Sequence, residues 1–197
     1  MTAIYLCIII CVIIWLLNGI CILHSLKEQI ASEFYIHTGL GVFFSLLTLE
    51  LTIGRNEAWS HFEVMWLEII GWILYAPSAF LVSGSLIALK HKGKPKGADF
   101  TETTTFIDSG IYHYIRQPMT LGLAIWSVAL ILVFQSVPAL VLGIISLFCF
   151  RMAAGKESKY NIRKFGDAYK EYMNHVPMWN IFKVLMNRDQ RHSSLNK

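Results

Sequence analysis

Charge is scarce in this chain. Only 15% of its 197 residues are Asp, Glu, Lys or Arg, against 55% that are hydrophobic. A soluble domain carries about 25% charge, so this balance excludes an ordinary water-soluble globule. Cysteine is rare too. Cys7, Cys11, Cys21 and Cys149 all lie in apolar runs, and none forms a Cys-x-x-Cys pair. Cys7 and Cys11 share a helix face, but a metal site needs more ligands, so no metal is expected and the thiols read as small apolar side chains. A soluble-type dinucleotide fingerprint is missing. Gly39-Leu40-Gly41 lies inside an apolar run, not between a strand and a helix. No internal repeat is found. The first apolar run lacks a basic leader and a small-residue cleavage site, so it reads as a retained helix.

What the chain has is length of apolar sequence. Crossing a bilayer takes about 20 residues. Five runs approach or exceed that: 3–23, 34–53, 64–89, 119–134 and 137–151. The last two are short and flank Gln135-Ser136-Val137-Pro138, which reads as a helical hairpin; one long broken helix is the rival. The expected fold is all-α and polytopic, with about five transmembrane helices. The third run holds Pro77 and small residues (Ala76, Ser78, Ala79, Ser83, Gly84, Ser85) that favour close helix packing. A groove open to lipid is the other reading of that face.

The basic residues are distributed unevenly. With loops assigned alternately, 16 of the 17 Lys and Arg fall on one side and Arg55 alone on the other. The positive-inside rule then puts the N-terminus outside and the C-terminus in the cytoplasm. Basic segments such as Lys90 to Gly97 flank apolar runs, which suits anionic headgroups; the bilayer is an expected partner and nucleic acid is not. Glu50 and Glu68 lie near the outer ends of their runs, where snorkelling or pairing with Arg55 is the expectation.

Residues 110–122 read Gly-Ile-Tyr-His-Tyr-Ile-Arg-Gln-Pro-Met-Thr-Leu-Gly. Here a basic, aromatic segment runs straight into an apolar helix. Pro118 suits a first helical turn. The free N–H groups of a helix start attract anions, and Arg116 adds a forked, permanent charge. Together they make a candidate carboxylate or phosphate site at a membrane face. Residues 101–107 have extended propensity. Further on, Ile162, Phe165, Tyr169, Tyr172 and Val176 recur at helical spacing, as in an amphipathic helix on the membrane surface or over the site.

The 110–122 segment resembles the Gly-Pro-Tyr-Arg-Tyr-x-Arg-His-Pro-Met-Tyr-x-Gly signature of the isoprenylcysteine carboxyl methyltransferases and the related membrane phospholipid methyltransferases. Gly110, Tyr112, Tyr114, Arg116, Pro118, Met119 and Gly122 match it, while Ile111, His113, Gln117 and Thr120 depart. A second element agrees: Glu157-Ser158, Phe165-Gly166, Tyr169, Tyr172 and Val176-Pro177 follow the family's order, with Ser158 replacing a second Glu. The family's arginine is out of register, Ala153 standing there and Arg151 half a turn earlier. The resemblance covers roughly residues 75–182. It implies helices 1–2 over 1–62, a methyltransferase core over 63–182 and a polar tail over 183–197.

The resemblance also implies S-adenosylmethionine as methyl donor, with S-adenosylhomocysteine as product. Its binding would fall to Thr104, Thr105, Phe106, Ile107, Tyr112, His113, Arg116, Gln117, Pro118, Met119 and Thr120. Glu157 and Arg151 would be catalytic. The implied acceptor is the C-terminal carboxylate of a prenylated cysteine. An amine headgroup, a nicotinamide-dependent sterol-type reductase and a non-enzymatic membrane protein are the alternatives. A carboxylate acceptor is already ionised and needs alignment alone, whereas an amine must lose a proton, which Glu157 can accept.

Overall fold

The computed structural model describes residues 2–54, 58–93 and 104–180. Its regular elements are helices: α1 (Thr2–Lys27), α2 (Ala31–Thr52), α3 (Met65–Lys92), a 3-10 turn at Gly110–His113, α4 (Pro118–Phe134), α5 (Val137–Phe165) and α6 (Asp167–His175). Four of them (α1, α2, α3 and α5) are long and apolar enough to cross a membrane, and α4 is a shorter apolar helix. At 1.5 Å per residue α4 reaches about 25 Å, most of a hydrocarbon core. The chain is thus an all-helical, multi-pass membrane protein, as its apolar runs imply.

Side by side, α1 lies on α2, α2 on α5, α5 on α4 and α4 on α3. The core between them holds Phe43, Leu46, Leu123, Leu130 and Phe150, all buried. The small residues of α3 serve packing. Ser78 Oγ donates to the Gly122 carbonyl at 2.9 Å. A Cβ on Gly122 would meet Val82 at 2.8 Å and the Ser78 carbonyl at 3.0 Å, so only glycine permits this approach. Along α1, Ile8, Leu16, Leu17 and Leu23 are more than half exposed, which suits a helix facing lipid.

Two boundaries differ from expectation. The last crossing does not stop near residue 151: α5 continues unbroken to Phe165. Its apolar part ends by Ala154, and the stretch from Lys156 is rich in charge. The amphipathic helix expected across 162–176 is divided at Gly166, whose positive φ of 66° ends α5 and starts α6. The hairpin at 135–138 is present. Gln135 adopts left-handed φ at 48°, and the Ser136 side chain caps α5 by accepting from Ala139 N–H. No strand forms over 104–107. The basic run at Lys94 and Lys96, Arg55, residues 101–103 and the 183–197 tail lie outside the described residues.

The end of the bundle near this hairpin is closed by a polar clasp. Glu50 does not snorkel but is 1% exposed. It accepts hydrogen bonds from Ser136 Oγ, from Trp59 Nε1 at 3.3 Å and, with the proton on that nitrogen, from His61 Nε2 at 3.3 Å. Gln135 pairs with both backbone groups of Val64, accepting from its N–H at 2.8 Å and donating to its carbonyl at 3.0 Å. Glu68, by contrast, is exposed and accepts from Trp72 on its own helix.

Candidate functional site

At the opposite end, Pro118 opens α4 in the first-turn position. The preceding residues are zipped to the segment after α6. Arg116 N–H donates to the Pro177 carbonyl at 3.0 Å and Gln117 N–H to Met178 at 3.3 Å. The Arg116 side chain reinforces this: Nη1 donates to the carbonyls of Val176 at 3.0 Å and Met173 at 3.3 Å, at the C-terminal end of α6. Those carbonyls carry partial negative charge, so the guanidinium is well placed. Tyr172 donates to the Tyr112 carbonyl and Trp179 Nε1 to Thr120 Oγ1 at 3.3 Å. The two sequence motifs, separated by about forty residues, thereby form one wall.

One donor remains over. Among the described residues, Arg116 Nε–H is the buried side-chain polar atom with no hydrogen-bond partner. Arg116 is 9% exposed and borders a cavity of about 580 Å³. Burial lowers its pKa. An arginine stays charged under such a shift. An unused N–H on a buried cation is a fitting partner for a ligand carboxylate.

The cavity wall is aromatic on one side. Phe106 packs against Phe165, Tyr169 and Tyr172 with ring centroids 5.6, 5.8 and 5.6 Å away. Such rings offer flat faces to an adenine and a negative face to a cation. Burial raises the hydroxyl pKa of Tyr112, and the Glu157 charge raises it further. These tyrosines therefore remain neutral.

Glu157 also faces the cavity, on the part of α5 that projects past the apolar stretch. Burial pushes its carboxyl from an ordinary 4.5 up to about 7, with hydrogen bonds from Gln117 and Asn161 holding it back. A carboxyl titrating near neutrality can accept and release a proton under working conditions.

The cavity brings together Phe106, Ile107, Tyr112, Arg116, Met119 and Glu157. Gln117, Pro118 and Thr120 are buried just behind them. Thr104, Thr105 and His113 are exposed and do not line it; the His113 ring packs edge-on to Tyr114. Arg151 lies off the cavity as well. It is exposed, stacked over Trp179 at 5.5 Å, where it braces the segment after α6. The reason is helical phase: Arg151 and Glu157 are six residues apart, on different faces of α5.

Sequence reasoning passed over several lining residues. Ala153, Tyr160, Asn161 and Lys164 share the Glu157 face of α5. Their spacing from Glu157, four back and three, four and seven on, was a usable signal. His24, Glu33 and His37, from α1 and α2, carried no such signal.

A model of the phospholipid methyltransferase family matches residues 66–168, slightly more than half of the chain. No curated protein and no solved structure matches it. The chain belongs to the phospholipid methyltransferase family and is a membrane methyltransferase.

Proposed function

We propose that this protein transfers a methyl group from S-adenosylmethionine to the polar end of a lipid-borne acceptor, at the cytoplasmic face of its membrane. The observation that carries the reading is the single cavity bounded by Arg116, the tyrosine-rich wall and Glu157. Methyltransferases of this family generally use that donor. The Arg116 Nε–H suits the donor's carboxylate, and Phe106, Tyr112 and Tyr169 suit its adenosyl group and sulfonium. When bound, the donor supplies an electrophilic methyl group on positively charged sulfur. The cytoplasmic placement rests on charge: the 90–118 connection and the chain from Arg151 on hold fifteen of the 17 basic residues.

An amine-bearing acceptor fits the cavity better than a carboxylate. An amine nitrogen must shed a proton before its lone pair forms the new N–C bond. Glu157, titrating near 7, is suited to take that proton. A carboxylate acceptor needs no base and would meet a like charge once Glu157 ionises. The resemblance to isoprenylcysteine methyltransferases keeps the prenylcysteine carboxylate as the second reading, supported by the cation Lys164 on the same wall.

The test is ligand binding to the protein purified in detergent. S-adenosylmethionine and S-adenosylhomocysteine should bind and NADPH should not; the reverse favours the reductase alternative and overturns the proposal. With saturating donor, an aminophospholipid should then give a rate that rises with pH through about 7. A rate flat above about pH 5, seen with a prenylcysteine, favours the carboxylate.

A further inference from the structure

Two uncharged amides flank the Glu157 carboxyl, and they come from different elements. Gln117 stands at the start of α4 and is buried. Asn161 lies four residues beyond Glu157 on the same face of α5 and borders the same cavity. Both hydrogen-bond the carboxyl. Asn161 has a second partner. Its Nδ2 donates to the Tyr169 hydroxyl at 3.4 Å. An amide nitrogen carries two N–H groups, enough to serve both acceptors.

Tyr169 is a firm anchor. It is 3% exposed, and its ring packs against Phe106, Phe165 and Tyr172. It belongs to α6, beyond the break at Gly166. Asn161 therefore joins Glu157 to the aromatic wall across the α5–α6 junction. Without such a tie a glutamate side chain facing a cavity keeps its rotameric freedom. A base must come within hydrogen-bond reach of the proton it accepts. A cation beside Glu157 would also fix the carboxylate, but it would weaken its hold on a proton. Amides fix it while leaving it able to take one.

We propose that Asn161 is a positioning residue for methyl transfer: its side-chain amide, anchored on the Tyr169 hydroxyl, aims the Glu157 carboxylate at the proton of the acceptor. This rests on the reading of Glu157 as proton acceptor. Asn161 acts through Glu157, with both of its N–H groups already in use.

The other ionisable groups around Glu157 stay in place when Asn161 is changed. Burial raises the hydroxyl pKa of Tyr112, on the 3-10 turn, and of Tyr169 and Tyr172, on α6, so these are neutral. Tyr160 and the cations Arg116 and Lys164 border the same cavity, as do His24, Glu33 and His37 from α1 and α2. A changed titration of Glu157 is then assignable to the amide.

The test uses the full chain in detergent. Protonation of Glu157 is followed by the infrared carboxyl band that Glu157→Gln removes. Turnover is measured at saturating S-adenosylmethionine with phosphatidylethanolamine as acceptor. Asn161→Leu removes the amide at similar size, and Asn161→Asp keeps the shape but has no N–H to give. In both, the Glu157 midpoint should rise by about one pH unit, because a hydrogen bond to the charged form is lost. Turnover at pH 7 should fall about tenfold. Above about pH 9 it should stay about fivefold below wild type, since the carboxylate is ionised there but no longer aimed. Tyr169→Phe keeps the ring, removes the anchor and should give a smaller change in the same direction. Wild-type midpoints and rates in both Asn161 variants overturn the proposal. Full recovery of turnover at high pH also overturns it, because the amide would then tune ionisation alone. A lowered unfolding midpoint with an unchanged pH profile, the mark of a purely structural bridge, overturns it as well. If wild type fails to bind S-adenosylmethionine or to turn over the amine lipid, or if Glu157→Gln keeps full turnover, the underlying reading falls and the proposal with it. Those failures are read from wild type and Glu157→Gln, separately from the Asn161 variants.

Discussion

Glu50 and Glu157 stand at the two ends of the bundle. Glu50 reaches Ser136 at the start of α5, and Glu157 lies about 30 Å further along that helix by its rise per residue. Glu50 is enclosed by three side-chain donors from Ser136, Trp59 and His61. Glu157 faces open space, and its hydrogen-bonding partners, Gln117 and Asn161, are uncharged. A carboxylate whose lone pairs are filled by fixed donors holds elements together. One left facing a cavity keeps proton-accepting capacity for a ligand. The difference lies in partners, since both are glutamates beside apolar helix segments.

The comparison breaks if the two residues respond alike to substitution. The largest effect should come from Glu157→Gln. Loss of a proton acceptor should lower kcat by about 10²–10⁴-fold, the usual worth of general base catalysis, with donor affinity nearly unchanged. Full turnover in that variant would return Glu157 to the ordinary surface charges. Glu50→Ala should do the opposite. It should destabilise the protein by about 3 kcal/mol, because buried Ser136 and half-buried Trp59 and His61 lose their acceptor, while each folded molecule keeps its donor affinity. Chemical denaturation in detergent, paired with donor titration, separates these outcomes.

Arg116 sharpens the contrast, since it serves both structure and ligand. Arg116→Ala should weaken donor binding by about 1.5–3 kcal/mol, the range for a hydrogen bond to a charged group. It should also release the segment after α6, seen as faster amide exchange at Val176 and Met178. Arg116→Lys should recover part of the binding but not the fork. Unchanged titration curves in both variants would remove Arg116 from the site.

A smaller effect is expected in the pH dependence of stability. The folded pKa of Glu157, about 7, lies above its ordinary 4.5. Between those values the folded state holds a proton that the unfolded chain has lost. Stability therefore falls as pH rises from 4.5 to about 7, then levels off. Glu157→Gln should lack this decline, and unfolding midpoints of the two proteins across that range give the comparison. The smallest effect is Trp179→Phe, which loses one hydrogen bond to Thr120 and should cost about 1 kcal/mol.

Much of the fold follows from the order of residues alone. Long apolar runs need a bilayer, and backbone groups in a bilayer need a helix, so the number and type of crossings were legible from hydropathy. Pro118 marked the start of α4, and Gln135 to Pro138 marked the hairpin, because turn and cap chemistry is local. The signature at 110–122 was likewise readable as a turn leading into a helix start at Pro118. What lay beyond reach was any property requiring distant partners. Glu50 was expected to snorkel toward water or pair with Arg55, and its burial depends on Ser136, eighty-six residues away. Arg151 looked like a companion of Glu157 in sequence, but helical phase turns it toward Trp179. The α1–α2 wall of the cavity has no linear signature at all. Helix chemistry is dictated residue by residue, whereas a cavity is the space left when helices far apart in sequence pack, so only the tertiary structure decided which side chains share it.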